Sequence, residues 1–180
     1  HSEIFADLSG LLLGGHSTVA SLMDIAGRSP TSTLHFHPGA VHPTPYLRLF
    51  LSTELLRRMG FVKEADYYDC IWHRIYPNPR AGTIPIEFLQ TFGKAHKLVV
   101  DTICYTPYPE LGGKTLAAVT GFKPLHQQMI NEAGERLAKG NDPGIIPERF
   151  LIPASRFALD RRLTKPEAIA KNFYSALARR

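Results

Sequence analysis

SEIFADLSGLLLGG, residues 2–15, decides the fold class. Ile4, Phe5, Leu8, Leu11 and Leu12 recur every three or four residues, the period of one face of an α-helix, and Gly14-Gly15 ends the run. Working outward, the same period returns along most of the chain. A second helix is expected over 17–26, with Ser17 as its cap and Gly27 as its stop. Tyr46, Leu47, Phe50, Leu51, Leu55 and Leu56 predict a helix from Pro45 to Gly60, proline being tolerated in a first turn. Residues 63–76 predict another, closed by PNPRAG (77–82).

IPIEFLQTFGKAHKLVVDTICYTPY (84–108) is read as the longest helix, although Val99, Val100 and Ile103 suit a strand by propensity alone. Short helices are expected near 116–120 and 125–139. GNDPGIIPERFLIPAS (140–155) is expected to be an irregular crossing segment, and TKPEAIAKNFYSALARR (164–180) a terminal helix capped by Thr164 with basic residues in its last turns. SPTSTLHFHPGAVHPTP (29–45) holds too many prolines and glycines for a helix and reads as a structured loop. The expected fold is therefore mainly α, a single helical domain of about six to eight helices with long Pro/Gly-rich connections.

Length and composition agree with that fold. A chain of 180 residues, 44% hydrophobic and 21% charged, buries one sizeable core and leaves little for a second. No run approaches the roughly 20 apolar residues of a membrane-spanning helix. The net charge of +5 is spread over the chain rather than gathered into a stripe, so nucleic acid is not an expected partner. Cys70 and Cys104 are too few for a disulfide framework, lie in patterns that look helical and half-buried, and favour a reducing, cytoplasmic setting. His1 stands where a methionine would, and the N-terminus is read as a cut end.

Glu3 and Asp7 lie one turn apart on a single helix face, the geometry of a metal ligand and a neighbouring carboxylate that orients another ligand. EIFAD (3–7) resembles the Glu-x-x-x-Asp element of gluzincin peptidases, in the group of the CAAX prenyl proteases and HtpX-like proteases. A second element of that group, His-Pro followed by an arginine six positions after the histidine, is similar to HPTPYLR (42–48), and the order agrees. The resemblance covers residues 1–60; residues 61–180 form a helical extension that matches nothing in the group. It implies that Glu3 binds zinc, that Asp7 orients a histidine ligand, that His42 reaches the scissile carbonyl or its oxyanion, and that Arg48 holds the glutamate carboxylate. It implies peptide-bond hydrolysis of a peptide or protein substrate.

The departure from the group is the absence of His-Glu-x-x-His anywhere in the chain, which removes both histidine ligands and the water-activating glutamate. Those residues are expected in an upstream segment or on a partner chain, with the 180 residues inactive alone. The alternative is a noncatalytic helical interaction or oligomerisation module, one subunit of a homo-oligomer. On that view Glu3 and Asp7 only complement the helix dipole, and Arg48 is a solvated residue beside Glu54 or Arg57. His35, His37 and His42 fall within eight residues and form a second candidate zinc cluster. His73, His96 and His126 read as packing or surface residues, His16 as the start of a helix, and LGGK (111–114) lacks the preceding strand of a phosphate loop.

Overall fold

The computed structural model describes residues 2–40 and 42–179. Ten α-helices are present among them: α1 (Ser2–Gly14), α2 (Ser17–Ala26), α3 (Pro30–Thr33), α4 (Pro45–Arg58), α5 (Val62–Ile75), α6 (Ile86–Val100), α7 (Leu116–Thr120), α8 (Pro124–Ala138), α9 (Leu151–Asp160) and α10 (Pro166–Leu177). Two short strands, β1 (Pro107–Tyr108) and β2 (Lys114–Thr115), pair antiparallel with Pro107 opposite Thr115. The turn between them uses Gly112 and Gly113 at φ 64° and 75°, angles that favour glycine. The fold is mainly α.

Two apolar clusters hold it together. The larger joins α1, α2, α4, α5 and the end of α6 through Leu8, Leu11, Val19, Leu55, Trp72 and Val100. The smaller joins α8, α9 and α10 through Ile130, Leu137, Phe150, Ala154 and Ala176. Phe122 packs against both. The α8–α9 crossing is close because Gly134 carries no side chain: a Cβ there would sit 2.6 Å from the Ala154 carbonyl oxygen. Between α2 and α9, Ser17 Oγ donates to the Pro153 carbonyl at 3.3 Å and Arg156 pairs with Asp24.

The helical stripes fall where the apolar period puts them, and several ends do not. The end of the segment expected to be irregular, from Leu151 on, belongs to helix α9. Pro153 is its third residue, where a missing N–H has no intrahelical acceptor to lose, so proline does not break the helix there. Ser17 does not cap α2: His16 holds the N-cap position, and the Ser17 hydroxyl serves the contact to α9 instead. Lys165 rather than Thr164 is the N-cap residue of α10, with no side-chain cap. That helix ends at Leu177, and Arg180 lies outside the described residues. Residues 84–108 give α6 followed by a π-helical turn at Asp101–Tyr105, and α8, expected to be short, matches α6 at 15 residues.

The two thiols are unlike each other. Cys104 is fully buried and burial pushes its thiol up to about 12, whereas Cys70 is exposed on α5, which corrects the half-buried placement of both. A thiol titration at pH 8 is expected to count one reactive cysteine in the native protein and two in guanidinium, with Cys70→Ser silencing the native reaction.

His16 is a half-buried imidazole. It lies against Tyr68, whose hydroxyl is 3.4 Å from Nδ1, and edge-on to Phe61. Burial lowers its pKa below 6.5, against the opposing pull of Glu64 and Asp160. The unfolded chain therefore binds this proton more readily than the folded one, and the stability contributed by neutral His16 is complete above pH 6.5 and lost as pH falls below it. Urea midpoints measured from pH 7.5 down to 5 are expected to fall, and to fall less steeply in His16→Gln.

Among the described residues no helix is long and apolar enough to cross a membrane.

Candidate functional site

Helix α1 packs on α4 with Leu8 and Leu11 buried beneath it. The start of α4 is fixed locally: Pro43 biases His42 towards extended backbone, and Pro45 occupies the first helical position, where its set φ suits a helix. Arg48 thus leaves the first turn of α4 facing the first two turns of α1.

Glu3 and Asp7, paired by helical spacing, meet there with Arg48 and His42, the two residues that the resemblance adds. Arg48 donates from Nε to Asp7 Oδ2 and from Nη2 to Asp7 Oδ1, both at 2.8 Å, a bidentate pair. Arg48 Nη2 also lies 3.6 Å from Glu3 Oε2, and His42 Nδ1 lies 3.5 Å from Glu3 Oε1. Side-chain exposure rises along the row, 12% for Arg48, 16% for Asp7, 33% for Glu3 and 67% for His42, so the arrangement opens from a held interior to a wet edge. Arg48 is no solvated face residue. The hydrogen bond to Asp7 raises its pKa further, making it a permanent cation.

The division of labour differs from the one the resemblance implies. The two short bonds of Arg48 go to Asp7, and its approach to Glu3 is longer than a normal hydrogen bond. Glu3 therefore keeps carboxylate lone pairs for a further partner. Asp7 has both oxygens engaged by one guanidinium, and each can still accept a second donor.

A zinc ion in a catalytic site takes three protein ligands and leaves a position for water. Glu3 has the chemistry and the exposure of one such ligand, and His42 is its only neighbouring imidazole among the described contacts. No group of three His, Cys, Asp or Glu able to hold a metal exists among the described residues. Among the described residues the donors offer at most one arm of a zinc centre and do not complete it. The histidine loop does not complete one either: His42 turns to Glu3, while His35 and His37, both exposed, stand 6.4 Å apart between ring centroids, with His35 Nδ1 3.3 Å from Thr83 Oγ1.

Spacing did not single out a second charged cluster, on the other side of α4. Glu54 is 6% exposed, accepts from Arg58 Nε at 3.2 Å and lies 3.6 Å from His96 Nε2 of α6. Its signal in the sequence was a glutamate set next to Leu55 and Leu56 within an apolar stripe; its partner on α6 carries no such mark.

No protein family, no curated protein and no solved structure matches this chain. The likeness to gluzincins accordingly stands on Glu3, Asp7, His42 and Arg48.

Proposed function

We propose that this chain supplies the carboxylate arm of a zinc-dependent peptidase centre, whose two histidine donors and water-activating glutamate come from an upstream segment or a partner chain. The observation that supports it is the meeting of Glu3, Asp7, His42 and Arg48 at the contact of α1 with the start of α4, Arg48 reaching Asp7 from 41 positions away. Glu3 is the zinc ligand, offered at a one-third exposed edge. Zinc, when bound, supplies a Lewis acid that polarises the scissile carbonyl and lowers the pKa of water. Arg48 fixes Asp7 and with it the pitch of α1, Asp7 is left one acceptor site per oxygen with which to orient a histidine donor, and His42 stands where it can donate to the carbonyl oxygen as charge develops. The net reaction is addition of water across a peptide bond to give a carboxylate and an amine.

A second reading has its own support. Phe5 and Leu13 of α1 are 45% and 42% exposed, and Leu13 shares an open groove with Ile152 of α9. An apolar strip of this kind suits a partner helix, as in a noncatalytic oligomerisation module.

The test begins with the gene. If the residues encoded before His1 contain His-Glu-x-x-His, the extended protein is expected to retain about one zinc per chain after desalting and to cleave an unfolded protein substrate, and Glu3→Gln is expected to lower both by about 100-fold or more. Zinc added to the 180 residues alone is expected to create no activity. Full activity in the extended Glu3→Gln variant removes the peptidase assignment and leaves the interaction module; a start codon directly upstream favours that module and leaves a partner chain as the one remaining source of the histidine donors.

A further inference from the structure

Next to the Glu3–His42–Arg48 corner, α4 and α6 leave an apolar pocket of about 340 Å³. It is lined by Leu47 and Leu51 of α4, Phe88 and Phe92 of α6, and Phe36 and Ile4. The connection to the corner is covalent and direct. Ile4 follows Glu3, Pro43 follows His42, and Arg48 both lines the pocket and approaches Glu3. Phe88 is 48% exposed yet held edge-on by Phe36, with ring centroids 5.1 Å apart at 81°, so an aromatic surface is already set in place with its outer side open.

Charge and size narrow the occupant. The one cation on the wall among the described residues, Arg48, has its charge answered by the bidentate bonds to Asp7, so it offers little to an acidic group. The volume lies near the lower end of the roughly 300–1,000 Å³ of small-molecule sites, which is room for a side chain rather than for a folded element. We infer that this pocket receives one large uncharged side chain, aromatic or branched aliphatic, of a peptide lying across the Glu3–His42 edge. Helix α6, through Phe88 and Phe92, then sets which residue sits beside the reacting bond. As a substrate subsite the pocket rests on the peptidase reading; as a receptor for that class of side chain it needs no metal.

The experiment uses the metal-free 180-residue chain and four peptides, acetyl-Gly-Xaa-Gly-amide with Xaa as Phe, Leu, Ala or Asp, followed by NMR. The Phe and Leu peptides are expected to shift resonances of Phe36, Phe88 and Ala95 saturably, with the Ala and Asp peptides weaker by about tenfold or more. Ala95→Trp fills the pocket from an exposed position on its rim and is expected to abolish the Phe response; Thr91→Trp, also exposed on the rim, serves as the second obstruction. A response without saturation, an equal response to the Asp peptide, or a response unchanged in both tryptophan variants overturns the inference. In an extended protein that cleaves peptides, Ala95→Trp is expected to lower kcat/KM for Phe-containing substrates relative to Ala-containing ones, whereas Glu3→Gln lowers all alike. Peptide binding without cleavage in a zinc-loaded extended protein that carries His-Glu-x-x-His retires the peptidase reading and upholds the pocket; cleavage with no change of preference in Ala95→Trp retires the pocket and leaves that reading in place.

Discussion

Trp72→Ala is expected to destabilise the protein by about 4 kcal/mol, in the range for emptying an aromatic site in a packed core. Trp72 has no exposed surface and sits on α5 where that helix meets α4 and the end of α2. Its Nε1 donates to the Tyr46 carbonyl at 3.1 Å, and its ring meets Tyr76 edge-on at 4.7 Å. Truncation therefore removes packing from three helices and leaves a buried carbonyl without this donor. Trp72→Phe keeps most of the volume and loses the hydrogen bond, for an expected loss of about 1–2 kcal/mol. Trp72 is the only tryptophan, so urea unfolding is best followed by far-ultraviolet circular dichroism rather than intrinsic fluorescence. A loss under about 1 kcal/mol for the alanine variant would contradict the packing of α5 against α4.

What could be read from the sequence was what local chemistry decides. The stripes of α1, α4 and α5 are set by a period that needs no partner to be recognised, and they appear within a few residues of their expected bounds. Caps were less legible, because Ser17 had a tertiary use for its hydroxyl that outbid the local one. Pro153 shows a related limit: whether proline breaks a helix depends on where that helix starts, and α9 starts two residues earlier, after a 3-10 turn at Glu148–Phe150. Cys70 and Cys104 sit in similar patterns, and only packing separates an open face of α5 from the buried turn after α6.

The candidate site shows the same boundary. That Glu3 and Asp7 share a side of α1 follows from helix geometry, and that Arg48 would answer them was suggested by the His-Pro element. Which carboxylate Arg48 would grip was not legible. Four residues overshoot one helical turn by about 40°, so the two carboxylates diverge, and the seating of α1 on α4 selects Asp7. Glu54 and His96, 42 positions apart, could be joined only by the approach of α4 to α6.

The remaining prediction separates a structural ion pair from a ligand held beside it. Asp7→Ala is expected to destabilise the protein by about 3 kcal/mol, because it leaves Arg48, 12% exposed, with Glu3 at 3.6 Å as its nearest remaining anion. Arg48→Met is expected to cost about as much by stranding Asp7, while the double variant Asp7→Leu with Arg48→Met recovers most of the loss, since neither charge is then left buried alone. Glu3→Gln behaves differently. Its carboxylate is one-third exposed and its contacts are long, so the expected loss is under about 1 kcal/mol, chiefly a helix-dipole interaction and a weak pair. Equilibrium urea unfolding of the single and double variants measures all of these. A small effect at Glu3 beside a large one at Asp7 is the energetic pattern of a side chain presented to a ligand by a rigid neighbour. Equal effects at both positions would make the four residues a single structural network, and would take away the ground on which Glu3 is assigned to zinc.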